Sequence, residues 1–188
     1  MWANSQAVSL RRIYSSNGIV LSDGEGWSSG GFMADCKFDG TVSSGSQQQY
    51  MFRNNQWGFY ENGVWNMVFV GQETSSTPYG EWPYAPYTNA SESPKVQEKP
   101  YICYDDEKGY GVMVPTMRKN ATGISWDKKV TGTFYSLNTF YIADSEKDNS
   151  DTLNSALKEG KNILFTPGVY TIEKPLSVTK KDTIIYGM

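Results

Sequence analysis

Up to about residue 145 the apolar positions fall in short runs of β-branched and aromatic residues, each cut by Gly, Asn or Asp, with almost no helical periodicity. Three segments align on a small turn: "IYSSNGIV" (13–20), "CKFDGTV" (36–42) and "NNQWGFY" (54–60). Their glycines, Gly18, Gly40 and Gly58, are spaced about 20 residues apart, and each separates two strand-like runs. Such a period predicts a stacked β-solenoid, in which inward side chains of successive rungs lie over one another. Ile13, Phe38 and Met51 or Phe52 are predicted for one inner column, and Ile19, Val42 and Phe59 for another. "VWNMVFVG" (64–71) supplies a further strand. An antiparallel sandwich would also produce short strands, so the pattern alone leaves both open.

The proline-rich stretch 71–100 reads as a long, mostly irregular connector. Its aromatics Tyr79, Trp82, Tyr84 and Tyr87 are expected to pack on other elements. "YICYDDEKGYGVMVP" (101–115) predicts a hairpin with DDEKG at its tip, and 132–144 is again β-type. A helix is predicted over 149–160, capped by Asn149 or Ser150, striped by Leu153, Ala156 and Leu157, and stopped at Gly160. After it come a strand, a Pro167–Gly168 turn and three more short strands. A helix leading into repeated strands suits the opening of a solenoid, whose first rung needs an apolar cap.

Composition narrows the chemistry. A net charge of −3 argues against a nucleic-acid partner. No apolar run is long enough for a membrane span, and the N-terminus shows no signal-peptide pattern. The sequence has no histidine, which removes Ser-His-Asp and Cys-His nucleophiles and the commonest zinc ligand. Neither a metal nor a cofactor is expected. Cys36 and Cys103 leave pairing open. Thirteen Tyr and six Trp amid many amides and hydroxyls suit carbohydrate, whose C–H faces stack on rings while its hydroxyls need donors and acceptors. Gln47, Gln48 and Gln49 form either an amide ladder or part of a polar groove; in a strand, Gln48 and Gln49 would face opposite ways. Asp35 reads as a carboxylate near that block or as a turn residue. Trp57 and Trp65 read as stacking platforms or as packing, and Trp27 lies on a loop beside them. Asp105, Asp106 and Glu107 read as a solvated hairpin tip, or less simply as a calcium site.

"GGFMADCKFDG", then "SQQQYMFRN", then "VWNMVF" resembles a block of glycoside hydrolase family 55, the β-1,3-glucanases. The tail "DTLNSALKEGKNILFTPGVYTIEKPLSVTKKDTIIYG" is similar to the opening coil of pectate-lyase-type β-helices. The resemblance implies a mainly β fold of right-handed parallel β-helices. Residues 1–71 would be coils of a first helix, 72–143 a connector with a hairpin, and 144–188 the capping helix and first coil of a second. It also implies a fragment of an extracellular protein hydrolysing β-glucan with inversion, with the rest of a parent chain packing on both ends and the general acid outside these residues. By the resemblance Gln48 and Gln49 would position the attacking water and Trp65 and Asn66 would fall at the sugar site; Trp27, Asp35 and Trp57 are sugar-site candidates on the reading of the residues alone. Where the family has Trp-Asn-Trp-Gly, this chain reads Trp65-Asn66-Met67-Val68, a departure at that part of the site. The alternative is a non-catalytic polysaccharide-binding or adhesin-like module.

Overall fold

A computed structural model describes residues 8–73, 78–127 and 130–188. The chain forms two compact units, 1–98 with 116–131, and 99–115 with 132–188.

The first unit is a solenoid of parallel strands: β1 (Val8–Arg11), β2 (Tyr14–Ser15), β3 (Ile19–Val20), β4 (Gly31–Ala34), β5 (Lys37–Ser43), β6 (Gln49–Arg53), β7 (Gln56–Glu61), β8 (Asn66–Val70) and β9 (Tyr87–Ala90). One five-stranded sheet runs β1-β4-β6-β8-β9, one strand per rung. In the other, β5 pairs in parallel with β2, β3 and β7. β9 lies inside the stretch expected to be irregular. A short antiparallel pair, β10 (Ser93–Val96) with β13 (Arg118–Ala121), completes the unit.

The three aligned glycines form a column where the second sheet bends. A Cβ on Gly18 would lie 2.1 Å from the Thr41 carbonyl oxygen, one on Gly40 2.6 Å from the Gly18 nitrogen, and one on Gly58 2.5 Å from the Asp39 carbonyl oxygen. Backbones of successive rungs touch here, so only a residue without a side chain fits. The bend breaks strand alternation. Trp57 and Tyr60 both turn inward, while Phe59, expected inside, is 61% exposed. The extra residue on β5 between Phe38 and Thr41 shifts the register, so Val42 faces Tyr60 instead.

The other predicted column does not form: Phe38 pairs with Trp57 in the second sheet, while Phe52, buried where Met51 is exposed, stacks between Met33 and Phe69 in the five-stranded sheet. Its ring lies 4.7 Å from Tyr50, 5.0 Å from Phe69, 5.5 Å from Trp57 and 5.4 Å from Tyr60, in stacked and edge-on pairs. A buried amide ladder does hold the next corner, but it is built from Asn54, Asn55 and Gln72. Asn54 donates to the carbonyls of Gly71 and Ala121, Asn55 accepts from the Cys36 N–H and donates to the Met33 carbonyl, and Gln72 accepts from the Asn55 N–H. Each amide satisfies backbone groups that the turn leaves unpaired.

The second unit contains the predicted hairpin, β11 (Tyr101–Asp105) and β12 (Gly109–Pro115), joined by β14 (Gly132–Ser136). Asp105 accepts from the N–H groups of Glu107 and Lys108, the work of a turn residue. β15 (Phe140–Ala143), β16 (Asn162–Phe165) and β17 (Ile185–Gly187) form a parallel sheet. Between Pro167 and Ile184 the expected extra strands do not form. The helix α1 (Ser150–Lys158) is capped by Asn149, in a reciprocal box with Thr152. Its stripe Leu153, Ala156 and Leu157 is buried, Leu153 and Leu157 packing with Ala143 and Ile163. Among the described residues no helix is long and apolar enough to cross a membrane.

Candidate functional site

The exposed glutamines lie where the chain enters the strands of the five-stranded sheet. Ser28 bridges Gln47 in parallel, Gly30 donates its N–H to the Gln49 carbonyl at 2.9 Å, and Asn66 donates to the Gln48 carbonyl at 2.9 Å. With Gln49 paired to Asn66, three rungs align in this corner: Ser29, Gln48 and Trp65 in one column, Gly30, Gln49 and Asn66 in the next.

Sequence position assigns each glutamine a different fate. Gln47 is fully buried and its amide donates to the Leu21 carbonyl at 2.7 Å, so it holds the coil. Tyr50 is buried too, while Gln48 is half-buried and Gln49 exposed. The chain turns between two inward residues, so Gln48 and Gln49 both lie outside. Strict alternation, which would hide one of them, begins only at β6.

The loop before Trp27 is shaped by Asp23, whose carboxylate accepts from the N–H groups of Glu25 and Gly26. Those bonds, that from Gly26 foremost, hold the Asp23 carboxyl below its ordinary pKa. Ser46 ties the next rung down by donating to the Gly26 carbonyl. The loop thus presents Trp27 at 72% exposure, and two rungs on Trp65 stands 57% exposed beside exposed Asn66. Thr88, one rung further, donates to the Asn66 amide oxygen at 3.4 Å. Indole faces and neutral amides with free edges are suited to stacking on and hydrogen-bonding a sugar.

Two expected site residues lie elsewhere. Trp57 is buried in the aromatic core, edge-on to Phe52, and reaches no ligand surface. Asp35 is fully buried, its backbone in the left-handed region at φ 58°. It accepts from the Arg12 guanidinium at 2.9 Å, and from the Ser125 N–H and hydroxyl, while its carbonyl accepts from the Trp126 indole at 2.7 Å. It therefore anchors residues 125–126 against the second rung. Tyr79, Trp82 and Tyr84, expected to pack, are instead exposed. Thr88 was missed because its role depends on rung register, which no local motif announces.

Comparisons with known proteins agree with the solenoid. The family model for the LAM55 pectate lyase-like domain matches residues 140–188. The chain is 40% identical, over its full length, to an exo-beta-1,3-glucanase of Streptomyces sp. (strain SirexAA-E / ActE), of which it covers 31%. The structure of sacteLam55A from Streptomyces sp. SirexAA-E superposes on the whole chain with a TM-score of 0.92 at 40% identity, covering 34% of that protein. A variant of sacteLam55A in complex with glucose matches as well, at 39% identity with a TM-score of 0.92. The chain thus spans about a third of the length of the relatives it matches. With this fold and these matches, the chain belongs to the Lam55 proteins, glycoside hydrolase family 55.

Proposed function

We propose that this chain forms part of an extracellular β-1,3-glucan hydrolase acting with inversion, and that the entrance corner of its solenoid contributes one wall of the sugar site. The observation that carries the reading is the juxtaposition of Gln48 and Gln49 with exposed Trp27, Trp65 and Asn66 on aligned rungs. The matched relative named an exo-beta-1,3-glucanase, and the glucose complex of its fold, support the substrate class. A polymeric glucan is too large to be taken up intact, which favours action outside the cell.

Inverting hydrolysis needs a protonated carboxyl on one side of the scissile bond and an activated water on the other. Gln48 is the better water holder, because a half-buried amide in one column with Trp65 is restricted in its rotamers. It accepts a hydrogen bond from the water and directs the oxygen lone pair toward the anomeric carbon, a positioning role. Gln49 and Asn66, more exposed, bind sugar hydroxyls. The general acid lies outside these 188 residues, which are inactive by themselves.

The test is laminarin hydrolysis by the full gene product, followed by released reducing sugar. Gln48→Ala should lower kcat by about 100-fold with little change in KM, whereas Gln49→Ala should chiefly raise KM. Unchanged kcat in the Gln48 variant would remove it from the reaction. Laminarin bound by the full product without any sugar release would make this a recognition module.

A further inference from the structure

The turn that leads into β9, Pro78–Pro86, holds three large aromatic side chains in solvent. Tyr79 is 100%, Tyr84 98% and Trp82 52% exposed. The turn itself is well tied. The Trp82 N–H donates to the Tyr87 carbonyl at 2.7 Å, and the N–H groups of Tyr84 and Ala85 both reach the Glu81 carbonyl. The Asn89 amide donates to the carbonyls of Pro78 and Gly80 at 3.4 Å. An ordered turn that keeps this much ring surface in water is a recognition surface by ordinary surface statistics.

Its charge identifies the partner. From Pro78 to Ala90 there is one carboxylate, Glu81, and no cation. An anionic polymer would be repelled and would find no counter-charge, while a neutral chain with C–H faces and hydroxyl edges matches both rings and charge. Position agrees with this. The Met67 N–H reaches the Pro86 carbonyl, and Met67 pairs with Tyr87, so the turn enters its rung at the same corner where Trp65 and Asn66 enter theirs. Thr88 links the two rungs through Asn66. Neighbouring rungs are about 4.8 Å apart, comparable with one pyranose ring.

We infer that Tyr79, Trp82 and Tyr84 form a secondary platform for neutral polysaccharide, holding glucan units beyond those at Trp27, Gln48, Gln49, Trp65 and Asn66. The identity of the glucan rests on the function proposed above; the platform itself rests on the exposed rings and their charge environment.

Calorimetric titration of the 188-residue chain with laminarin and with a three-glucose β-1,3 oligosaccharide tests this. Because Tyr79 and Tyr84 make almost no buried contact, the double variant Y79S/Y84S keeps the fold. It should lower laminarin affinity about tenfold and leave the trisaccharide affinity unchanged. W65A should lower both. The exposed pair Tyr104 and Tyr110 on β11 and β12 is the control, and Y104S/Y110S should change neither. Unchanged laminarin affinity in Y79S/Y84S, with W65A still impaired, overturns the platform and leaves the proposed function standing. An equal loss in Y104S/Y110S also overturns it, as indiscriminate ring adhesion. If Y79S/Y84S keeps its laminarin affinity and sedimentation shows a lost dimer, the turn is a self-association surface instead. If the unaltered chain binds neither sugar, the platform falls, while the proposed substrate stands or falls with laminarin hydrolysis by the full gene product.

Discussion

Replacement of Asp35 separates an anchor from a sugar ligand. Its carboxylate is fully buried and accepts three hydrogen bonds, one from the Arg12 guanidinium and two from Ser125. Asp35→Ala leaves Arg12, whose side chain is 19% exposed, without its carboxylate, and breaking such a buried pair costs about 3–5 kcal/mol. The backbone at φ 58° adds about 1 kcal/mol, since alanine occupies the left-handed region poorly. Asp35→Asn tolerates that conformation and can still accept from Arg12, but its NH2 then faces a Ser125 donor, for a loss of about 2 kcal/mol. Ser125→Ala removes one hydroxyl donor and should cost about 1 kcal/mol. Urea unfolding read by tryptophan fluorescence orders the three, because Trp126 reports the contact directly through its bond to the Asp35 carbonyl. At a slope of about 2 kcal/mol per molar urea, the alanine variant should unfold about 2 M earlier. A midpoint within 0.5 M of the parent, accompanied by lost laminarin binding, would refute the anchor and restore Asp35 to the sugar site (the threshold corresponds to about 1 kcal/mol).

Three further outcomes follow from the packing. Gly40→Ala places a Cβ 2.6 Å from the Gly18 nitrogen and should lower unfolding stability by about 2–3 kcal/mol, whereas Gly26→Ala, with its nearest neighbour at 3.9 Å, should change it by less than about 0.5 kcal/mol. Glu98 is held above its ordinary pKa of 4.5 by burial, against the pull of Arg53. Its folded form therefore binds the proton more tightly than the unfolded form, and its contribution to stability declines as pH rises from 4.5 through the folded value. Urea midpoints of Glu98→Gln and the parent, compared at pH 4.5 and at neutrality, should shift in the variant's favour at the higher pH; a constant difference would refute this. Burial pushes the Cys36 thiol up to about 11, and both cysteines are free, so a maleimide should label half-buried Cys103 first and Cys36 only in step with unfolding, as mapped by peptide mass.

The solenoid was legible because its constraint is local and periodic. Gly18, Gly40 and Gly58 must lack side chains wherever backbones touch, so the rung period is written in residue type. The helix was legible for the same reason, through its cap and its stripe. Phe59 was misread because the bend lies inside a strand, and a period of two carried across Gly58 assigns the wrong face. Gln48 and Gln49 were read on opposite faces by the same reasoning. Asp35 and Trp57 were misplaced for a different reason. A carboxylate beside a glutamine block and an indole in a strand look alike whether they meet a ligand or the interior, and the partners that decide, Ser125 for Asp35 and Phe69 for Trp57, come from later parts of the chain.

The anchor at Asp35 has a consequence for the order in which the chain is made. Its partner Ser125 is 90 positions later, so at ordinary elongation rates roughly 5–20 s separate the two on the ribosome. Through that interval the second rung carries a carboxylate built for a segment that does not yet exist, and the whole of 99–115, which belongs to the other unit, must be synthesised in between. The rungs of the first unit can therefore stack as they emerge, but the contact between Asp35 and Ser125 forms only after part of the second unit has been translated. No single cut in the chain releases either unit intact, and a nascent chain halted before Ser125 would leave the Asp35 carboxylate without the two hydrogen bonds that Ser125 donates.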